Sequence, residues 1–281
     1  MLSFGDQKPM RSVLVIGANG MLGYAVSEYF KLRNYHVECV TRKKFDIAKD
    51  NIEQLESVVK NVDFAVNCAG IINIRTAEFP VEEVLKVNSV FPRNLAKLCK
   101  KFGKSCFHIT TDCAFSGKRG LYTESDYLDA EDIYGLSKCS GETTDCMTLR
   151  TSIIGEEKKA SRSLLEWAKR QKRKTVNGFT NHLWNGVTTL YLAQIIENIL
   201  NLKLYERGIF HIFSDEIVSK FELLSMINQI YDLGITINRF ETPQSCNRSL
   251  SSEKDLCAKV VKISLRAQIE QMNKFFEGIR K

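Results

Sequence analysis

The chain has 281 residues, is 44% hydrophobic and 26% charged, and carries a net charge of +7, a balance that excludes collagenous, low-complexity and wholly disordered chains. Its nine cysteines form no CxxC pair and are scattered through apolar or helical stretches, as at Cys39, Cys68, Cys99 and Cys106, so a reducing cytoplasm fits better than a disulfide framework. Residues 1–11 lack the apolar run of a signal peptide, and no apolar run elsewhere approaches the roughly 18 residues of a membrane span, so no membrane partner is expected.

In chain order, residues 12–16 form a short apolar run that predicts a strand. A glycine-rich turn follows, and then an amphipathic helical pattern at Met21, Leu22, Ala25, Tyr29 and Phe30. Residues 36–40 read as a second strand, 51–60 as a helix and 63–68 as a third strand. A helix over 81–102, interrupted at Pro92, leads to a strand at 105–110, a helix at 134–142 and a strand at 147–150. Strands alternating with helices predict a parallel sheet covered on both faces. Beyond about Gly155 the rhythm loosens, with helices near 163–171, 188–202, 219–233 and 264–276 and a strand at 208–213. The expected division is 1–155 as a dinucleotide-binding domain, to which later segments return, and 156–281 as a smaller, mainly substrate-binding domain. Lys169, Arg170, Lys172, Arg173 and Lys174 cluster without interleaved aromatics, which suits a solvated helix end and gives no nucleic-acid partner.

The turn Gly17-Ala18-Asn19-Gly20-Met21-Leu22-Gly23 stands between a strand and a helix with GxxGxxG spacing. A tight turn, close approach of a pyrophosphate and unpaired N–H groups at a helix start all require that pattern. It makes the first half a Rossmann-type, doubly wound α/β fold. An acidic residue at the end of the second strand would hold the ribose 2′-hydroxyl of NAD, but Thr41-Arg42-Lys43-Lys44 stands there instead. Arg42 and Lys43 are candidates for a 2′-phosphate, which favours NADPH over NADH.

Tyr134 and Lys138 sit at i and i+4, neighbours on one helical face. Hydride addition to a ketone leaves an alkoxide that needs a proton, and a phenol tuned by a lysine can supply it. A hydroxyl to polarise the carbonyl is expected at the end of the preceding strand, where Thr111 is the first choice and Thr110 the fallback. His36 and His211 look strand-borne and His108 lies in an apolar run, so buried, satisfied histidines are expected and no metal-site pattern emerges.

Several ordered motifs together resemble the extended short-chain dehydrogenase/reductases, and within them the dTDP-4-dehydrorhamnose reductase branch. They are VLVIGANGMLG at the start, NCAG from Asn67, ITTDCAFSGKRGLYTESD from Ile109, YGLSK from Tyr134, LRTSIIG from Leu149 and NRSLSS from Asn247. The resemblance implies NADPH-dependent reduction of the 4-keto group of a nucleotide-activated 6-deoxysugar in polysaccharide biosynthesis, with Thr111, Tyr134 and Lys138 as the catalytic set. It implies that Asp46 and Ile47 approach the adenine and that Cys68, Ala69 and Gly70 line the cofactor channel. Thr151, Ser152 and Ile153 would pass beside the nicotinamide, Asn88 and Thr110 would also border the cofactor, and Asp112, Trp184 and Arg248 would contact substrate, with Asn181 and Asn185 flanking Trp184, for which a place in the core is the alternative. The wider family also suggests a homodimer. Two departures stand out: Cys113 replaces the usual aromatic, and Ile153 stands where a tryptophan is common.

In related epimerase-reductases a cysteine at the place of Cys113 acts as a base beside the keto group. The resemblance therefore leaves open a bifunctional 3,5-epimerase/4-reductase in which cations lower the Cys113 pKa, with His182 and Arg162 as guesses for the partner acid; the alternative is that Cys113 is a small residue filling the space of the usual tyrosine. A third reading is a non-catalytic NADP-binding regulatory subunit, against which the intact Thr–Tyr–Lys set argues.

Overall fold

The computed structural model describes residues 10–158 and 162–280; most of the polar leader lies outside the described residues. Six parallel strands form the main sheet: β1 (Ser12–Ile16), β2 (His36–Val40), β3 (Phe64–Asn67), β4 (Ser105–Thr111), β5 (Met147–Thr151) and, after four short strands given below, β10 (Gly208–His211). Their spatial order is β2-β1-β3-β4-β5-β10. The order reverses between β1 and β3, and crevices outside the carboxyl ends of strands at such a point are where α/β sheets take ligands.

Alternation along β1 shows how the sheet is sandwiched. Val13 and Val15 face one core with Leu22, Val26 and Phe30 of α1 (Met21–Leu32), while Leu14 and Ile16 face another with Leu95 and Leu98. Every residue of β3 and β5 is buried, as a strand covered on both faces requires. A short 3-10 turn and α2 (Glu56–Lys60) link β2 to β3, and α3 (Val81–Leu85) and α4 (Phe91–Lys101) lie between β3 and β4.

The expected break at Pro92 falls elsewhere. Residues Lys86–Val90 form a π-helical turn joining α3 to α4, and Pro92 sits in the first turn of α4, where its missing N–H is tolerated. The widened turn carries Asn88, which is completely buried.

The helix α5 (Ile133–Gly141) follows β4 and is capped by Asp132, whose side chain accepts from the Gly135 N–H at 2.8 Å. The second half then adds β6 (Ile153–Ile154), α6 (Leu164–Arg170), β7 (Thr175–Phe179), β8 (His182–Trp184), β9 (Val187–Thr188) and α7 (Thr189–Asn201) before β10. After β10 come β11 (Val218–Ser219), α8 (Lys220–Ile230), β12 (Thr236–Phe240), β13 (Cys246–Asn247), α9 (Leu256–Val260) and α10 (Leu265–Arg280). Ile195, Ile196 and Ile199 of α7 share the core of α1, whereas Leu165, Trp184, Leu223, Ile227, Leu265, Ile269 and Phe276 build a separate cluster. A full capping box at Ser219 and Glu222 starts α8.

The strands β7 and β12, absent from the sequence reading, pair in parallel from Thr175↔Thr236 to Phe179↔Phe240. Among the described residues no helix is long and apolar enough to cross a membrane, and all nine cysteines are free thiols. The basic cluster at the end of α6 is partly spent internally, since Lys169 meets Glu156 at 2.6 Å and Glu166 at 3.0 Å.

Candidate active site

The glycine turn is a cradle that side chains would fill. Gly17 has a φ of 76°, and a Cβ there would lie 2.9 Å from the Ala69 backbone, while one on Gly23 would overlap the Gly17 carbonyl. Gly20 caps α1 with no side-chain hydrogen bond, so the first N–H groups of the helix are left for an anion. These features fit a dinucleotide pyrophosphate. A cavity of about 240 Å³ opens there, lined by Gly17, Asn19, Gly20, Arg42, Asp46, Ile47, Cys68, Ala69 and Gly70. Of the two basic residues expected for a 2′-phosphate, Arg42 lines this cavity and Lys43 lies outside its lining.

A second cavity of about 330 Å³ continues from the first past Gly20, Met21, Leu22 and Gly70 to Thr110, Thr111, Asp112, Cys113, Tyr134, Lys138, Thr151, Ser152 and Ile153. Thr111 ends β4 and its hydroxyl accepts from the Cys113 N–H at 3.1 Å and donates to Asp112 at 3.2 Å. Tyr134 and Lys138, one turn apart on α5, enter the same cavity. Lys138 is buried, donates to the Ile109 carbonyl at 2.8 Å, and is pushed down to about 8, first by burial and against the pull of Glu142. Asn88 supports this wall without lining it: its side chain accepts from the Ile71 N–H at 2.8 Å and donates to the Ile71 carbonyl at 2.9 Å and to the Ser137 hydroxyl at 3.0 Å.

The Tyr134 phenol is raised, not lowered as the lysine argument expects. Burial is the largest cause, the neighbouring Cys113 adds to it, and hydrogen bonding with Thr111 opposes it. At neutral pH the phenol is therefore fully protonated, the state a proton donor needs.

The Cys113 thiol is likewise raised, where an epimerase base would need it lowered. Its Sγ receives Arg248 Nη1 at 3.8 Å, yet burial and then Asp112 push the thiol up to about 12, outweighing Arg248. Neither guessed partner acid faces it. His182 bonds Thr242 at 2.8 Å, and Arg162 pairs with Glu78. Arg248 is fixed by the Phe115 carbonyl at 2.8 Å and reaches a third cavity of about 630 Å³, which Cys113 also lines.

Trp184, expected at the cleft, is only 3% exposed and packs in the core of the second half. Asn181 and Asn185 are clamps rather than cleft groups: Asn181 donates to the Thr242 carbonyl at 2.7 Å, and Asn185 to the Leu250 carbonyl at 2.8 Å. Of the histidines, His211 is buried and bonded to the Ser251 carbonyl at 2.7 Å, His36 is exposed, and His108 is buried with Nε2 unpartnered.

Sequence reasoning missed Lys220, the first residue of α8. It lies 5.3 Å from the Trp184 ring centroid and lowers the pKa of Asp112, which burial on balance raises. It also missed Ile71, Arg75, Phe79 and Glu83 on the first cavity: the first three lie in or beside a 3-10 turn with no periodic signal, and Glu83 is on a helix that could be read without showing that it faces the cofactor.

A model of the RmlD substrate binding domain matches residues 10–274. The spore coat polysaccharide biosynthesis protein SpsK of Bacillus subtilis is 26% identical over 250 residues, 85% of this chain and 86% of that protein. A dTDP-4-dehydrorhamnose reductase of Mycolicibacterium smegmatis is 30% identical over 50% of this chain, a match spanning 45% of that enzyme. Methionine adenosyltransferase 2 subunit beta of Danio rerio is 27% identical over 82% of this chain and 78% of that protein. Among solved structures, dTDP-4-dehydrorhamnose reductase from Bacillus anthracis in complex with NADP superposes with a TM-score of 0.79 at 22% identity, covering 96% of this chain and 99% of that one. With the matched model running from the first strand into the last helix, the chain belongs to the RmlD substrate binding domain family.

Proposed function

We propose that the protein is an oxidoreductase that uses NADPH to reduce the 4-keto group of a nucleotide-activated 6-deoxysugar. The observation that carries this reading is the meeting of Thr111, Tyr134 and Lys138 in a cavity continuous with the glycine cradle. The mycobacterial relative named as a dTDP-4-dehydrorhamnose reductase and the SpsK relative named for polysaccharide biosynthesis support the substrate class. Residues 1–155 act as the dinucleotide domain, helped by α7 and β10, and residues 156–281 mainly as the substrate domain. A cytoplasmic setting rests on the scattered free cysteines, and a homodimer on the resemblance alone.

When bound, the nicotinamide supplies the hydride. Thr111 and Tyr134 hold the ketone oxygen from two sides, so negative charge arriving on that oxygen meets hydroxyl donors already in position. Tyr134 then gives its proton to the alkoxide, and Lys138, charged below about pH 8, stabilises the phenolate left behind. Arg248 offers a guanidinium to the substrate diphosphate.

Incubation with NADPH and 4-keto-6-deoxy sugars linked to dTDP, UDP or GDP tests the reading by loss of absorbance at the reduced nicotinamide band. Turnover with one of them that disappears in Tyr134→Phe is the expected result, and no oxidation with any of them would sink it. One observation favours a second reading: Cys113 lines both the catalytic cavity and the Arg248 cavity, where a base for 3,5-epimerisation would have to stand. The subunit-beta relative favours a third, a non-catalytic NADP-binding subunit, in which Tyr134→Phe would change nothing measurable.

A further inference from the structure

The lining of the first cavity includes a cluster that the glycine motif does not explain. Phe79 lies under two guanidinium groups, with the Arg42 Cζ 5.5 Å and the Arg75 Cζ 4.8 Å from its ring centroid, and all three residues line the cavity with Glu83. Arg42 comes from the segment after β2, whereas Arg75 comes from the 3-10 turn after β3, so the two cations reach one ring from separate parts of the chain.

Each guanidinium is held at its edge by carboxylates. Arg42 Nη2 meets Glu83 at 2.8 Å and its Nε meets Asp46 at 3.4 Å, while Arg75 Nε meets Glu78 at 3.0 Å. A guanidinium has five N–H donors, so these pairs and the ring orient the two groups while leaving donors for an incoming anion. A neutral ribose hydroxyl would gain little by disturbing Arg42 and its two carboxylates. A phosphate dianion would gain charge-assisted hydrogen bonds from both arginines at once.

We propose that Arg75 is a second guanidinium for the ribose 2′-phosphate of the dinucleotide, acting with Arg42 beside Phe79, and that the Arg42–Glu83 pair is what the phosphate displaces. This inference rests on the reading that a dinucleotide lies in the glycine cradle with its adenosine in this cavity. It makes discrimination between NADPH and NADH the joint property of two arginines and one competing carboxylate.

Direct titration of the full chain with NADPH and with NADH, by protein fluorescence or calorimetry, tests it. Arg75→Ala is expected to weaken NADPH about tenfold, the loss of one charge-assisted contact, and NADH less than twofold. Arg75→Gln, which keeps a stem over Phe79, is expected to show the same NADPH-only loss. Glu83→Gln is expected to tighten NADPH and leave NADH unchanged. Equal weakening of both dinucleotides by the Arg75 variants, or no weakening of either, would overturn the inference while the cradle reading stands. Unaltered protein that binds neither dinucleotide would overturn the cradle reading and this inference with it.

Discussion

Lys138 donates to the carbonyl of Ile109 at 2.8 Å, which ties the cation of α5 to the strand that ends in Thr111. The tie costs the lysine its water, and burial brings its pKa down to about 8 while Glu142 holds it up. As pH rises through about 8 the ammonium is lost, so turnover should fall on the alkaline side with a limb near that value. Glu142→Gln removes the influence that raises Lys138, and the limb should move to lower pH. A kcat-against-pH profile reads both effects, and a limb that stays put in the variant would contradict the coupling.

The same shift predicts a pH-dependent stability. Lys138 has a folded pKa of about 8 and an unfolded value near 10.4, so between them the unfolded chain binds more protons and stability rises with pH. Lys138→Met cannot take part in this gain. Its stability relative to the unaltered protein should therefore decline between about pH 8 and pH 10, by at most on the order of 3 kcal/mol. Urea denaturation of both proteins at four pH values across the window measures the difference, and parallel curves would refute the assignment.

Cys113 gives a prediction against epimerisation. With the thiol pushed up to about 12 by burial and Asp112, almost none of it is thiolate at pH 7.5, and Arg248 at 3.8 Å does not reverse this. Reduction run in deuterated water should leave carbons 3 and 5 of the sugar undeuterated by NMR, and Cys113→Ala should retain the reductase activity. Deuterium that appears in the unaltered protein and vanishes in Cys113→Ala would establish the bifunctional reading instead.

What could be read in the sequence was local. The turn from Gly17 to Gly23 and the pair Tyr134 and Lys138 are patterns within seven residues, and Thr111 follows from the strand that precedes them. The sequence missed what depends on distant partners. Thr175 to Phe179 points Val176 and Gly178 inward, but with a glycine at one of only two inward positions no apolar alternation shows in the sequence, and the strand is recognised by its pairing with residues 236–240. For Trp184 the sequence leaves cleft and core open, and Leu223 and Ile227 of a later helix, which enclose it in a core, decide between them. Arg75 and Phe79 belong to no periodic element, so only the folded cavity reveals them. The reversed pKa expectations for Tyr134 and Cys113 share one cause: charge neighbours can be guessed from spacing, but burial cannot, and burial is the larger effect at both sites.

A last prediction concerns Gly141, at the end of the catalytic helix. Pro92 has no N–H to offer the carbonyl of Asn88 four residues back, and this carbonyl lies against Gly141 so closely that a Cβ on Gly141 would overlap it, with the Ser89 Cα only 3.2 Å away. Backbone on the π-helical turn cannot yield as a side-chain tip could. Gly141→Ala should therefore push α5 away from Asn88, straining the Asn88–Ser137 bond of 3.0 Å and the seat of Lys138. Overpacking of this kind costs about 1–3 kcal/mol, and the displaced helix should also lower kcat. Gly278→Ala is the control, since nothing lies within 4 Å of a Cβ there; in a helix it should stabilise by up to about 1 kcal/mol and leave kcat alone. Urea denaturation and kcat on the two variants separate the cases, and a Gly141→Ala protein as stable and active as the original would show that the helices are not held at this distance.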